Sequence, residues 1–211
     1  MQDHVIVARI LSLTMSYKST KTLLRKQILQ NRKALSTTQI INASKKISHH
    51  FCQSTYFSTY TNFACYMAVN KEIDPQFIMH DVWQAKKQCF LPVLHPKKQN
   101  ELLFQRYEEN DELQKNRYNI LEPVYDSNKI IAPQDLHVVL MPLVAFDQNG
   151  NRLGMGAGYY DRTFSFHANS HQSPLLVGLG YDFQQLEQVP CDSWDIKLTT
   201  VLTETGFLST T

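Results

Sequence analysis

Apolar residues recur along the chain with two different periods, and the changes between them predict most of the elements. From Ser19, the stretch STKTLLRKQILQNRKAL keeps Leu24, Ile28 and Leu35 near one side of a helix and leaves a basic opposite face. Ser36 opens a second helix that runs through IINASKKISHHF and stops before Ser54. Its hydroxyl can accept from the Gln39 amide while the Gln39 side chain reaches back, a capping box. The unbroken apolar run FACYMAV (63–69) predicts a buried strand. In DPQFIMHDVWQAKKQ, Asp74 caps a helix and Pro75 fills its first turn. CFLPVL (89–94) and LLFQRY (102–107) predict strands, with Pro92 expected to end the first. HVVLMP (137–142) and LLVGLGY (175–181) predict two more.

Helices that alternate with apolar strands predict an α/β fold around a mostly parallel sheet. No repeat, low-complexity tract or long linker divides the 211 residues, a length that suits one domain. Residues 17–211 are expected to form it, with 1–16 as a poorly ordered tail and either Met1 or Met15 as the start. A hydrophobic share of 43% and a charged share of 19% place the chain among soluble globular proteins. The net charge of +2 is too small to argue for a nucleic-acid groove or a membrane-bound surface, yet leaves room for a local cationic cluster. MQDHVIVARILSLTM starts acidic, has no small-residue cleavage site and is too short to span a bilayer. Cys52, Cys65, Cys89 and Cys191 form no CxxC pair and are expected to be reduced, mostly buried thiols of a cytoplasmic protein.

Glycine is what points to chemistry. Four of the seven glycines, Gly150, Gly154, Gly156 and Gly158, fall within nine residues of GNRLGMGAGYYDR (150–162). Asn149-Gly150 predicts a type I′ hairpin turn. The eight histidines are scattered without an HExxH or Cys/His pairing, and neither a GxSxG elbow nor a Walker A run occurs. GxGxG after a hairpin also fails the dinucleotide fingerprint. What remains is a loop whose missing Cβ atoms let consecutive N–H groups share one concavity, a nest for phosphate oxygens. The YYDRTFSFHAN segment then predicts a helix whose N-terminus faces that concavity. Arg152 can fork onto the same anion, and Asp161 can hold a magnesium that bridges phosphates. A tight turn packed under a helix, with Asp161 as a helix-start carboxylate, is the other reading of the same spacing.

With those residues in view, the chain resembles the 5-formyltetrahydrofolate cyclo-ligase (methenyltetrahydrofolate synthetase) family over about residues 17–205. MPLVAFDQNGNRLGMGAGYYDR (141–162) is similar to its signature almost end to end, and KTLLR (21–25), NKEIDP (70–75), YNILEP (118–123) and VPCDSWDIKL (189–198) follow in the family's order. Ala157 departs from the pattern, since the family more often has glycine or lysine there; a lysine contact to phosphate is absent, and a positive φ at that position would be strained.

The resemblance implies a three-layer α/β/α sandwich and an ATP- and magnesium-dependent closure of 5-formyltetrahydrofolate to 5,10-methenyltetrahydrofolate, with ADP and phosphate released. It implies ATP contacts from Lys21, Arg25, Arg152, Leu153, Gly154, Met155, Gly156, Ala157, Gly158, Tyr159 and Tyr160, with Arg152, Tyr160 and Asp161 in the chemistry. Asp161 and Asp195 would be the magnesium carboxylates. Met67, Glu72, Tyr118 and Tyr160 would meet the folate, Glu72 accepting from pterin N–H groups. Read by composition alone, Lys21 and Arg25 are a solvated face, Met67 is strand core and Glu72 is a surface acid. The partner implied is a small folate rather than nucleic acid or membrane, and the enzyme would act as a monomer or weak homodimer. A non-catalytic relative that binds RNA or a protein, and an ATP-dependent ligase or kinase for another small acceptor, are the rival readings.

Overall fold

The structure, a computed structural model, describes residues 20–169 and 174–208, so the expected tail at 1–16 lies outside the described residues. Five α-helices are described: α1 (20–33), α2 (Thr37–Cys52), α3 (Thr55–Thr59), α4 (Gln76–Gln84) and α5 (Tyr159–Thr163). The strands are β1 (Asn62–Ala64), β2 (Gln88–Leu94), β3 (Leu102–Arg106), β4 (Leu113–Lys115), β5 (Leu121–Pro123) and β6 (Ile130–Ile131). They continue as β7 (Val138–Pro142), β8 (Ala145–Phe146), β9 (Arg152–Leu153), β10 (Leu175–Leu179), β11 (Thr200–Thr203) and β12 (Gly206–Phe207).

Eight strands form one sheet in the order β12-β11-β10-β7-β1-β2-β3-β6. The five from β11 to β2 are mutually parallel, and β12, β3 and β6 join antiparallel at the edges. The mostly parallel α/β sheet expected from the alternation is therefore present. Along β7, Val138 and Leu140 enter the core shared with Ile47 and Phe51 of α2 and Ile78 and Val82 of α4. Val139 and Met141 enter the opposite core, with Phe146, Phe164, Ile196 and Leu198. A strand buried on both faces reads as a continuous apolar run, which is why HVVLMP carries no alternation.

Local chemistry sets the helix boundaries. The capping box forms as expected: Gln39 N–H donates to Ser36 Oγ at 3.2 Å, and Ser36 N–H donates to Gln39 Oε1 at 2.8 Å. At α4 the cap position falls to Pro75, not Asp74, and Asp74 Oδ1 accepts from Gln76 N–H at 3.0 Å just ahead of the helix.

Three expectations need correction. The run FACYMAV is strand only to Ala64. Beyond it Cys65 and Tyr66 stay buried, but the chain leaves the sheet and turns through left-handed Asn70 (φ 50°) and Lys71 (φ 59°). Pro92 does not end β2. Odd residues of that strand bond toward β3 (Tyr107 N–H to Cys89 O, His95 N–H to Glu101 O), while even ones face β1, which stops opposite Phe90. Pro92 therefore forfeits no ladder bond. Finally, YYDRTFSFHAN forms one α-turn, α5, followed by a 3₁₀ segment at Ser165–Asn169.

All four cysteines are free; Cys65 and Cys89 are buried, Cys52 is half-buried and Cys191 is exposed, fewer buried than expected. No described helix is long and apolar enough to cross a membrane.

Candidate active site

The chain runs from β1 outward to β2 and then returns to place β7 on the other side of β1. The segments that follow β1 and β7 therefore diverge from adjacent strand ends, a topological switch point of the kind where open α/β sheets bind ligands. The segment after β1 carries Glu72, and the segment after β7 carries the glycine cluster.

β8 and β9 form the expected hairpin, but its turn is not type I′. Only Gly150 has positive φ (75°), and Gly150 N–H donates to Asp147 O at 3.3 Å. Buried Asp147 organises the turn by accepting from Asn149 N–H, Asn151 N–H, Asn151 Nδ2 and Val189 N–H at 2.9–3.0 Å. Gly150 is required by close approach: a Cβ there would sit 2.6 Å from the Leu198 carbonyl oxygen. Its role is architectural, which separates it from the three glycines that follow.

In the loop proper, Gly156 (φ 100°) and Gly158 (φ 68°) take left-handed backbone, and Ala157 between them does not. The strain expected at Ala157 is therefore absent. Met155, Gly156 and Ala157 face solvent. Among the described residues, no hydrogen bond takes up the amides of Gly154, Met155, Gly156 or Ala157. Two guanidinium groups flank this loop. Arg25 Nε donates to Gly154 O at 2.8 Å, and its Cζ lies 3.5 Å from where a Gly156 Cβ would be. Arg152 Nη1 lies 3.2 Å from where a Gly154 Cβ would be. Arg162 closes the far end by donating to Ala157 O.

Arg152 is 5% exposed; its Nη2 meets Asp161 Oδ1 at 2.7 Å, while Nε has no hydrogen-bond partner among the described residues. Asp161 also accepts from Ile196 N–H at 3.3 Å, which fastens α5 to the 192–196 segment. Lys21 reaches the same segment: Nζ lies 2.7 Å from Asp192 Oδ2 and 3.0 Å from Asp195 Oδ2. Burial works against the Lys21 ammonium, but the bonds to Asp192 and Asp195 outweigh it and its pKa lies above the ordinary lysine value.

On the other flank, Glu72 is buried, accepts from Val69 N–H at 3.1 Å and faces Arg32 Nη2 at 3.5 Å. Burial raises its pKa, with Arg32 and the Val69 amide opposing. Arg152 Cζ lies 5.7 Å from the Tyr160 ring centroid, and Phe164 stacks beside that ring at 6.4 Å. Burial drives the Tyr160 phenol well above its usual value; Arg152 opposes this and Glu72 adds to it, so the hydroxyl keeps its proton. Tyr118 stands exposed between β4 and β5, its hydroxyl 2.9 Å from that of Tyr159, which also accepts from Arg117 Nη2 at 2.6 Å. Met67 is half-buried against the α2–α4 core.

Lys21 and Arg25 are thus tied to site loops instead of forming a solvated face, and Glu72 is not a surface acid. Sequence reasoning missed Arg32, Asp192 and Arg117. Arg32 had a legible cue, because residues 21, 25, 28 and 32 fall on one stripe of a helix, and Ile28 marks that stripe as buried. Asp192 and Arg117 carried no such cue. A shallow depression of about 420 Å³ bounded by Gln88, Phe90, Arg106 and Glu108 lies at the β2-β3-β6 edge of the sheet and is lined by none of these groups.

The chain's sequence matches the profile of the 5-formyltetrahydrofolate cyclo-ligase family over residues 17–204. It is 35% identical over 179 residues to a Haemophilus influenzae protein named 5-formyltetrahydrofolate cyclo-ligase, covering 85% of this chain and 95% of that one. Its fold is similar to that of a 5,10-methenyltetrahydrofolate synthetase from Aquifex aeolicus, with a TM-score of 0.75 and 31% identity over 89% of this chain and 91% of that one. A second solved synthetase, from Mycoplasma pneumoniae, superposes with a TM-score of 0.67 at 26% identity, covering 87% of this chain and 98% of the other. A switch point with a cationic glycine loop on one side and a buried carboxylate on the other, carried by a sequence that matches the family over residues 17–204, leads to one conclusion: the chain belongs to the 5-formyltetrahydrofolate cyclo-ligase family and is a ligase.

Proposed function

We propose that the protein closes 5-formyltetrahydrofolate to 5,10-methenyltetrahydrofolate with magnesium-ATP as co-substrate, releasing ADP and phosphate, and that it does so in the cytoplasm. The observation that carries this reading is the placement of Tyr160. Its ring lies against Arg152, the cation of the glycine loop, and its phenol feels the charge of Glu72 on the folate flank.

The residues present fit a triphosphate. A buried guanidinium whose Nε is unmatched among the described residues, loop amides that likewise lack acceptors there and a second guanidinium across the loop suit an anion, for which charge-assisted bonds are strongest. They also fit one magnesium. Asp161 and Asp195 come from separate segments joined by the Asp161–Ile196 contact. Magnesium needs only one or two carboxylates from a protein, so these two would suffice to hold it.

The formyl carbon of the substrate is a feeble electrophile and its oxygen leaves badly. Bound magnesium-ATP supplies the phosphoryl group that lets this oxygen depart as phosphate once the second folate nitrogen attacks the formyl carbon and gives up its proton. The chain's share is alignment and charge balance. Arg152, Arg25 and the loop amides neutralise phosphate oxygens, with Lys21 available from its aspartate contacts. Glu72 accepts from the pterin N–H groups and so orients the formyl group. Tyr160 screens the reacting atoms from water, and Met67, Tyr118 and Tyr159 line the folate. Because the attacking nitrogen belongs to the same molecule, positioning alone can supply a large part of the acceleration.

The test is to mix purified protein with magnesium-ATP and 5-formyltetrahydrofolate and follow the methenyl chromophore in the near ultraviolet. Absorbance that rises in step with ADP release is expected. ATP turnover without the chromophore would indicate another acceptor, and neither signal would indicate a relative without catalysis.

A further inference from the structure

Arg32 heads the large, fully buried side chains among the described residues, and nothing in the reaction described above requires it. Its Nε donates to Asn70 O at 2.9 Å, its Nη1 donates to Leu143 O at 3.2 Å, and its Nη2, without a hydrogen bond among the described residues, faces Glu72 Oε1 at 3.5 Å. Asn70 and Lys71 form the consecutive left-handed pair that delivers Glu72, a backbone state that side chains with a Cβ resist unless their surroundings enforce it. The surroundings do so. Lys71 Nζ donates to Lys33 O and Leu35 O at the end of α1, Tyr181 Oη donates to Lys71 O, and Arg32 takes Asn70 O. Leu143, the third partner, is the first residue after β7, on the path to the glycine loop.

We infer that Arg32 is the positioning residue of the folate carboxylate: it fixes the turn that carries Glu72 and supplies the positive charge that lets Glu72 stay buried as an anion. This rests on the reading that Glu72 receives the pterin N–H groups. The titratable groups that face Glu72 are Arg32 from α1, Tyr66 from the segment after β1, Tyr160 from α5 and Tyr181 from the segment after β10. Burial raises all three phenols, so they stay neutral in the working range, and Arg32 is the cation that opposes burial of the carboxylate. Without it, Glu72 takes up a proton at higher pH, and a protonated carboxyl cannot accept from both donors of the pterin edge. Folate affinity should then fall as pH falls, by up to about tenfold for each pH unit below the new Glu72 pKa.

The experiment compares the full chain with Arg32→Gln, Arg32→Lys, Glu72→Gln and the Arg32→Gln/Glu72→Gln double variant. Calorimetric affinities for 5-formyltetrahydrofolate and for magnesium-ATP are taken from about pH 5.5 to about pH 8.5. Arg32→Gln should weaken folate most at the acid end and recover toward the alkaline end, with ATP affinity changed less than about threefold. Arg32→Lys should restore part of the loss, and the double variant should lose the pH trend. Equal losses for both ligands with no pH trend, or folate affinity left at the parental value, would overturn the role of Arg32. If Arg32→Gln fails to fold, Arg32→Lys must still show a steeper pH trend than the parent, and a flat profile would refute the inference. Should Glu72→Gln bind folate as well as the parent, the assignment of Glu72 fails and the inference falls with it. Loss in Glu72→Gln without a pH trend in either Arg32 variant sinks Arg32 alone.

Discussion

Replacing Arg152 with methionine removes a charge while keeping most of the side chain's volume, and the structure separates what this does to stability from what it does to turnover. The guanidinium is 5% exposed and carries a polar atom, Nε, with no partner among the described residues. A buried donor left unmatched costs about 1–3 kcal/mol, which the apolar side chain recovers. Against that stands the 2.7 Å bond to Asp161, whose side chain is 20% exposed; a partly buried charge-assisted bond of this kind contributes about 1.5–3 kcal/mol. The contributions nearly cancel, leaving a loss of roughly 0–2 kcal/mol. At about 2–4 °C per kcal/mol for a domain of this size, the thermal midpoint should drop by less than about 8 °C. Turnover has no such compensation, because a cation aimed at developing phosphate charge is worth about 10²–10³ in kcat. Scanning calorimetry and the methenyl absorbance assay on the same preparation check both halves. A variant that melts more than about 15 °C lower yet turns over near the parental rate would show that Arg152 is a structural cation, and the nucleotide pocket would have to be placed elsewhere.

Other expectations follow from the same geometry. Gly150→Ala forces a Cβ to 2.6 Å from Leu198 O at φ 75°, so strain and overpacking together should cost about 2–5 kcal/mol; a melting midpoint within about 2 °C of the parent would contradict this. Asp161→Asn keeps an acceptor for the Ile196 amide but loses the carboxylate, so turnover should be abolished and ATP affinity should lose its dependence on magnesium, as read by titration with and without the ion. Tyr118→Ala removes an exposed ring and its bond to Tyr159, so KM for the folate should rise several-fold with KM for ATP and the melting midpoint unchanged. Equal rises in both KM values would place Tyr118 outside the folate flank.

How much of this the sequence revealed depended on whether the cue was local. Ser36 with Gln39 states its helix start within four residues and forms as read, whereas the Asp74-Pro75 signal runs one residue early, because Pro75 and not Asp74 takes the cap position of α4. The apolar run after Ala64 misled because burial was taken to mean sheet, whereas Cys65 and Tyr66 are buried in a loop that leaves the strand. Pro92 misled because its cost depends on which neighbour the missing N–H would have faced, a property of the assembled sheet. β11 and β12 were not anticipated: two to four residues each is too short to show a period. At the site, the glycine spacing was visible, but the sorting of Gly150 from Gly156 and Gly158 was not, since it rests on a carbonyl 48 positions away. Basic residues on α1 read as solvent-facing because charge usually is; the stripe shared with Ile28 hinted otherwise for Arg32, and the tertiary partners show Lys21, Arg25 and Arg32 turned inward.

The bonds from Lys21 to Asp192 and Asp195 join positions 171 and 174 residues apart, nearly the full length of the described chain. A ribosome releases Lys21 long before these partners, so although Arg32 of the same helix can meet Asn70 early, the Lys21 end must wait until almost all of the described chain has emerged. Contacts of such long sequence separation close late because chain entropy opposes them. Messages cut short before codon 192 would then yield chains that have most of the sheet and none of the latch, and these should be degraded as unfinished instead of persisting as slow enzymes.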